Sequence, residues 1–190
     1  GNVEEFFQGH IDTDVSEKCR KQLECLAERF KDIPIEEVYT SPLRRARATA
    51  EAVNKYHRLP LTVDPHIIEI YAGDWEGVRW SELPEKFPHE YELWSKQINK
   101  FKAPHGESTR QVYDRMKLAM RNIAAENNGK TIAVISHGMA IKAYLNYADG
   151  REWENYADPG WSDNTAVSLI EYDDELMPHI IFKNDSSHLK

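Results

Sequence analysis

Three short segments combine residue types suited to handling a phosphoryl group. In Ser136-His137-Gly138 a histidine closes the apolar run Thr131–Ser136. A strand that turns directly into a helix sets His137 at a strand's carboxyl end, where open α/β sheets bind ligands. Gly138 would let the backbone turn tightly, and a new helix N-terminus favours an anion. The same turn would also suit a core histidine bonded to the backbone. In Ser41-Pro42-Leu43-Arg44-Arg45-Ala46 the arginines stand in the first turn of an expected helix, where the helix dipole disfavours cations. A bound phosphate would account for one of them, because guanidinium can grip two phosphate oxygens. A solvated basic surface is the alternative, and Arg44 and Arg47 fit it. Glu69, in Ile68-Glu69-Ile70 ahead of the Gly73–Gly77 turn, is a candidate general acid or else an exposed strand carboxylate. A cation, an imidazole and a carboxylate together match phosphoryl transfer, in which the oxygens need positive partners and the leaving oxygen needs a proton. The sequence has no Gly-x4-Gly-Lys loop and no Asp-rich cluster, and His89 and His105 stand at no ligand spacing. No metal and no cofactor are expected.

The elements that must position these groups follow from patterning. Ser16 can cap a helix over 17–31, with Leu23, Leu26, Ala27 and Phe30 at i, i+3, i+4 and i+7. A strand at Glu37–Thr40 precedes a second helix opened by Ser41 at the N-cap and Pro42 at N1, running to Tyr56 with Ala48, Ala52, Val53 and Tyr56 inward. Leu61–Val63 reads as a strand, and 72–106 is broken by Pro84, Pro88 and Pro104. Ser108 starts a long helix to Asn127, with Val112, Met116, Ala119 and Ile123 on one face and Gly129 ending it. Residues 131–136 form a strand covered on both faces, Gly138–Asp149 a helix, and Val167–Phe182 a hairpin at the sheet margin. Alternating helices and strands predict a single α/β domain over 1–190, with a mostly parallel central sheet and helices on both faces.

A formal charge of −8, from 24 basic and 32 acidic residues, argues against nucleic acid and anionic membranes as partners. A small phosphorylated ligand responds to a local cluster and stays open. Cys19 and Cys25 lie six positions apart on one helix, about 240° around its axis, and are read as reduced thiols. With no long apolar stretch and no signal-peptide pattern at the start, a cytoplasmic protein is expected.

Taken in order, six segments resemble the histidine phosphatase superfamily, the phosphoglycerate-mutase-like fold. They are Phe7-Gln8-Gly9-His10-Ile11-Asp12, Ser41 through Ala46, Glu69 through Gly77, Gly106-Glu107-Ser108, Ser136-His137-Gly138 and Asn164-Thr165. The resemblance implies a metal-free mechanism through a phosphohistidine. It makes Arg45 and His137 the groups that hold the phosphoryl oxygens and Glu69 the group that donates and accepts the proton. Asn2 matches a polar residue that touches the phosphate pocket, Gln8 and Gly9 match the loop flanking it, and His10 and Gly138 complete the expected phosphate and substrate contacts. The family's nucleophilic histidine lies in an Arg-His-Gly motif after the first strand, just ahead of the residue matching Asn2. None of the eight histidines here stands in such a triplet; His10 lies in the right loop, at a position the family lets vary. The expectation is a domain whose first strand is missing from these 190 residues, which by themselves are inactive and less stable than an extended chain.

The function expected is hydrolysis of a small phosphorylated metabolite, releasing inorganic phosphate. A phosphoglycerate mutase is the second reading. Against it, only 68 positions separate Glu69 from His137, and Ile70-Tyr71-Ala72-Gly73 after Glu69 holds no basic residue. A non-catalytic phospho-ligand binder is the third. Trp153, Tyr156 and Trp161 could line the pocket, a homodimer interface or a lid.

Overall fold

A computed structural model describes residues 5–190, so Asn2 lies outside the described residues. Three parallel strands, β1 (Glu37–Thr40), β2 (Leu61–Val63) and β3 (Ile132–Ile135), form a sheet in the order β2-β1-β3. Val38 stands opposite both Leu61 and Ala133. Side chains alternate across a strand, and the core divides accordingly. Val38, Ala133 and Ile135 pack with Leu23 and Leu26 of α1 (Glu17–Phe30) and with Ala46, Ala50 and Val53 of α2 (Arg44–Val53). Tyr39, Ile132 and Val134 pack on the other face with α5 (Thr109–Glu126) and α6 (Gly138–Ala148). The short helices α3 (Leu83–Lys86) and α4 (Pro88–Lys96) occupy the Pro-broken region. The chain is thus α/β with helices on both faces of a parallel sheet, as its alternating pattern predicts.

Local chemistry sets most boundaries. Ser108 and Gln111 form a reciprocal capping box at the start of α5, and Val112, Met116, Ala119 and Ile123 are all buried. The second helix differs from expectation. It begins at Arg44 with Leu43 as its N-cap, not at Pro42. The Ser41 amide donates to Ile135 O at 3.0 Å, extending the β1–β3 ladder by one bond, so the chain cannot turn helical there. Its inward face is Ala46, Ala50 and Val53, while Tyr56 is 40% exposed. The Asn54 side chain bonds both the amide and the carbonyl of Leu59 and closes the helix early. Strands β4 (Val167–Tyr172) and β5 (Pro178–Asp185) make the expected hairpin, but as a separate two-stranded antiparallel sheet. Side chains join it to the body: Tyr172 bonds Tyr144 of α6, and Arg29 of α1 donates to Asp185 at 2.7 Å. Among the described residues no helix is long and apolar enough to cross a membrane.

Candidate active site

The carboxyl ends of β1 and β3 lie side by side, and the residues just beyond them build the site. His137, only 7% exposed, directs Nε2 to Ser41 Oγ at 2.7 Å. Ser136 Oγ donates to Ile67 O at 2.7 Å, drawing the segment before Glu69 against the end of β3. Burial, then the positive charges of Arg45, His10 and Arg115, hold the His137 imidazole well below the usual histidine range. The ring is neutral at pH 7 and faces a positive cluster.

That cluster is held by main-chain carbonyls. Arg45, in the first turn of α2, donates from Nη1 to Ile11 O at 2.8 Å and from Nη2 to Gly9 O at 2.7 Å. His10, in the same loop, directs Nε2 to Glu69 O at 2.8 Å. From α5, Arg115 donates to the carbonyls of His66, Ile68 and Glu69. Its charge is met by Glu107, with Nε–Oε1 at 2.9 Å, and the other Glu107 oxygen accepts from Tyr71 N. One clamp therefore fixes the main chain on both sides of Glu69.

Glu69 itself is not on a strand; it stands in an extended segment after a short 3-10 turn at Pro65–Ile67. Its carboxylate accepts from Ile70 N at 2.9 Å, Ala140 N at 3.2 Å and Met139 N at 3.2 Å. Two of those amides are among the groups a helix leaves unpaired at its start. The anion at the N-terminus of α6 is therefore the carboxylate of Glu69, where the sequence suggested a phosphate. Contacts now close a ring: Arg45 to the 9–11 loop, His10 to Glu69, Glu69 to α6, and His137, which precedes α6, to Ser41.

Two glycines in this ring do different work. Gly9 has φ +51°, and a Cβ on it would lie 2.2 Å from Glu76 Oε1, the atom that accepts from His10 N at 2.7 Å. Gly138 has no such backbone need. The expectation that it permits a tight turn is corrected, since a Cβ there meets Trp161 at 3.6 Å and Glu69 Oε2 at 3.7 Å, both ordinary contacts. What a side chain would fill is the space between Glu69 and Trp161. Gly9→Ala is accordingly expected to lower thermal stability, since the left-handed conformation alone costs about 1–2 kcal/mol. Gly138→Ala should melt at the wild-type temperature and slow turnover of phosphomonoesters. Equal melting losses in the two variants would contradict this division.

The neutral, buried His137 also sets a pH dependence. Above its ordinary value of 6.5 it is uncharged whether folded or unfolded. Below that, the unfolded chain takes up a proton that the folded one refuses, so stability is lost as pH falls through this window. His188, also lowered by burial and Arg29, acts with the same sign. His137→Gln is expected to flatten the unfolding free energy against pH just below 6.5, by up to about 1.4 kcal/mol per unit for one proton. Urea titrations across that range with identical slopes would refute it.

Of the residues proposed from sequence, Gly9, His10, Arg45, Glu69, His137 and Gly138 share this ring, and Gln8 lies in the same loop, its carbonyl accepting from Ile11 N at 2.9 Å. Arg44 and Arg47 are exposed, as a solvated basic surface requires, with Arg44 paired to Asp14. Trp153 is core, 3% exposed and donating Nε1 to Asn99 O, whereas Tyr156 and Trp161 line a groove. Arg115 was not anticipated, although an arginine beside the apolar stripe of Val112 and Met116 is a visible signal. Among the described residues no cluster of His, Cys, Asp and Glu could hold a metal ion.

Comparison with known proteins gives consistent results. The model of the histidine phosphatase superfamily (branch 1) matches residues 1–185. Phosphoserine phosphatase 1 of Hydrogenobacter thermophilus is 29% identical over 187 residues, spanning 96% of this chain and 86% of that protein. Phosphoglycerate mutase-like protein 4 of Arabidopsis thaliana is 30% identical over 194 residues, spanning 100% and 82%. The solved structure of YhfR from Bacillus stearothermophilus superposes with a TM-score of 0.93 at 28% identity, covering 100% of this chain and 93% of that one.

Proposed function

The chain belongs to the histidine phosphatase superfamily, and from that premise we propose that its site hydrolyses the phosphomonoester of a small metabolite through a phosphohistidine. Arg45 and His137 hold the phosphoryl oxygens. Glu69 gives a proton to the leaving oxygen and later takes one from the attacking water. The phosphoryl group passes from the substrate oxygen to an imidazole nitrogen and then to water, leaving inorganic phosphate. The nucleophile is the histidine of an Arg-His-Gly segment that the family's order puts ahead of the residue matching Asn2. His10 is a poor substitute, because its Nε2 is engaged by Glu69 O.

The observation that carries this reading is the ring of contacts joining Arg45, His137 and Glu69 at the ends of two parallel strands. It gathers positive charge and a carboxylate, which is what a dianionic ester and a departing alkoxide need. A mutase shares these groups. The sequence after Glu69, without a basic residue, favours water over a second phosphoglycerate as acceptor.

The test supplies 3-phosphoglycerate, with and without its bisphosphate primer, to the chain carrying an Arg-His-Gly strand ahead of Gly1. Phosphate release faster than interconversion supports the phosphatase, and the reverse order supports the mutase. The 190 residues by themselves should bind phosphate without turning over p-nitrophenyl phosphate. Turnover by them would require a nucleophile already present in the sequence.

A further inference from the structure

Pattern alone makes Ser41 a helix N-cap, but in the fold Leu43 holds that place. Ser41 is fixed instead at the end of β1. The residue is fully buried, its amide donates to Ile135 O at 3.0 Å, and its carbonyl accepts from Thr40 Oγ1 at 3.2 Å. Pro42 has no N–H, so the next amide along the chain is that of Leu43, which meets Ser41 Oγ at 3.4 Å. Among the described residues the other polar neighbour of that hydroxyl is His137 Nε2, at 2.7 Å.

A neutral imidazole carries a single N–H, and the partner of one ring nitrogen decides which nitrogen holds it. Burial and nearby positive charge keep His137 neutral at pH 7, so the choice has consequences. Ser41 Oγ has one proton to give, and a buried donor left without an acceptor is costly. Among the described residues its acceptor is His137 Nε2. The hydroxyl therefore donates, Nε2 accepts, and the ring proton sits on Nδ1. Nδ1 is also the open nitrogen. Among the described residues it has no hydrogen-bond partner, yet the sealed side-chain atoms that lack one are Thr13 Oγ1 and Trp75 Nε1. With its proton on Nδ1 the ring offers an anion a donor; with the proton on Nε2 it would offer a lone pair.

We propose that Ser41 is a positioning residue for the phosphate site: its hydroxyl locks His137 in the Nδ1–H tautomer, so that the one N–H of the ring is given to the phosphoryl group. The proposal rests on the reading of His137 as a phosphate contact. Ser41 itself touches no reacting atom. A hydroxyl keeps this place in both states of the ring, since it rotates from donor to acceptor when the imidazole takes a second proton.

Nitrogen NMR of the 190 residues with isotope-labelled histidine, at pH 7 and without phosphate, reads the tautomer directly. His137 should show a protonated Nδ1 and a bare Nε2. A protonated Nε2 overturns the proposal with no variant needed. Ser41→Ala and Ser41→Val should each move the ring towards the Nε2–H form. Each should also weaken calorimetric binding of inorganic phosphate about tenfold, the size of one hydrogen bond to a charged group. Ser41→Thr has the shape of the valine variant and keeps the hydroxyl, so it should restore both the tautomer and the affinity. Equal losses in the threonine and valine variants would make Ser41 a packing residue and overturn the proposal, as would an unchanged tautomer in Ser41→Ala. If phosphate binds while the ring holds its proton on Nε2, the phosphate site stands and the role of Ser41 falls. If phosphate does not bind at all, the phosphate-site reading fails and takes this one with it.

Discussion

Arg45→Ala and His137→Ala should each lower turnover by roughly 30- to 900-fold, the equivalent of about 2–4 kcal/mol for one preorganised donor to a developing anion. The two losses should differ in kind. His137 is neutral and buried, and among the described residues its side chain bonds Ser41 Oγ, so its removal should take away a phosphate partner and leave the loop at 9–11 in place. Arg45 also bonds the carbonyls of Gly9 and Ile11. Its removal should loosen that loop and lower the melting temperature as well. Arg45→Lys cannot span both carbonyls and grip two oxygens with one ammonium, so it should recover little activity. The measurement is kcat/KM for p-nitrophenyl phosphate in the chain carrying the Arg-His-Gly strand. A loss of less than about tenfold would remove that residue from the site.

Glu69→Gln should divide substrates by their leaving groups. General acid catalysis contributes about 100- to 10,000-fold where the departing oxygen is basic and far less where it leaves unaided. An alkyl phosphate such as glycerol phosphate should therefore lose about 100-fold or more, and p-nitrophenyl phosphate much less. Glutamine keeps an oxygen for the amides of Ile70 and Ala140, but it turns an NH2 group towards the amide that Oε2 now accepts, that of Met139. Some stability is lost with that bond, about 1–3 kcal/mol if the amide stays unsatisfied. A merely structural Glu69 would slow both substrates equally, in step with the fall in melting temperature.

What could be read from sequence was local. The capping box at Ser108 and Gln111, the apolar face of α5 and the strand-to-helix turn at His137 each lie within a few residues, and each stands where patterning puts it. What escaped was set by contacts between distant segments. Ser41 looks like an N-cap until its amide is claimed by Ile135 across the sheet. Glu69 looks like a strand residue, yet its surroundings are fixed by amides about seventy positions away. The N-terminus of α6 looks open to a phosphate, and only the fold reveals that a carboxylate of the same chain occupies it. Arg115 and Lys142 could have been suspected as cations set into apolar faces, but their partners Glu107 and Asp158 could not be named from spacing alone.

The central claim is that His137 touches the phosphoryl group, and imidazole NMR of the 190 residues titrated with inorganic phosphate tests it most directly. At pH 7 the His137 ring should begin neutral. It should shift at saturating phosphate towards the protonated, hydrogen-bonded form, as the dianion offsets the Arg45 and Arg115 charges that now oppose protonation. The ring of His179, exposed on β5 and paired with Asp173, should stay unchanged. Saturable phosphate binding that leaves the His137 resonances where they were would contradict the account.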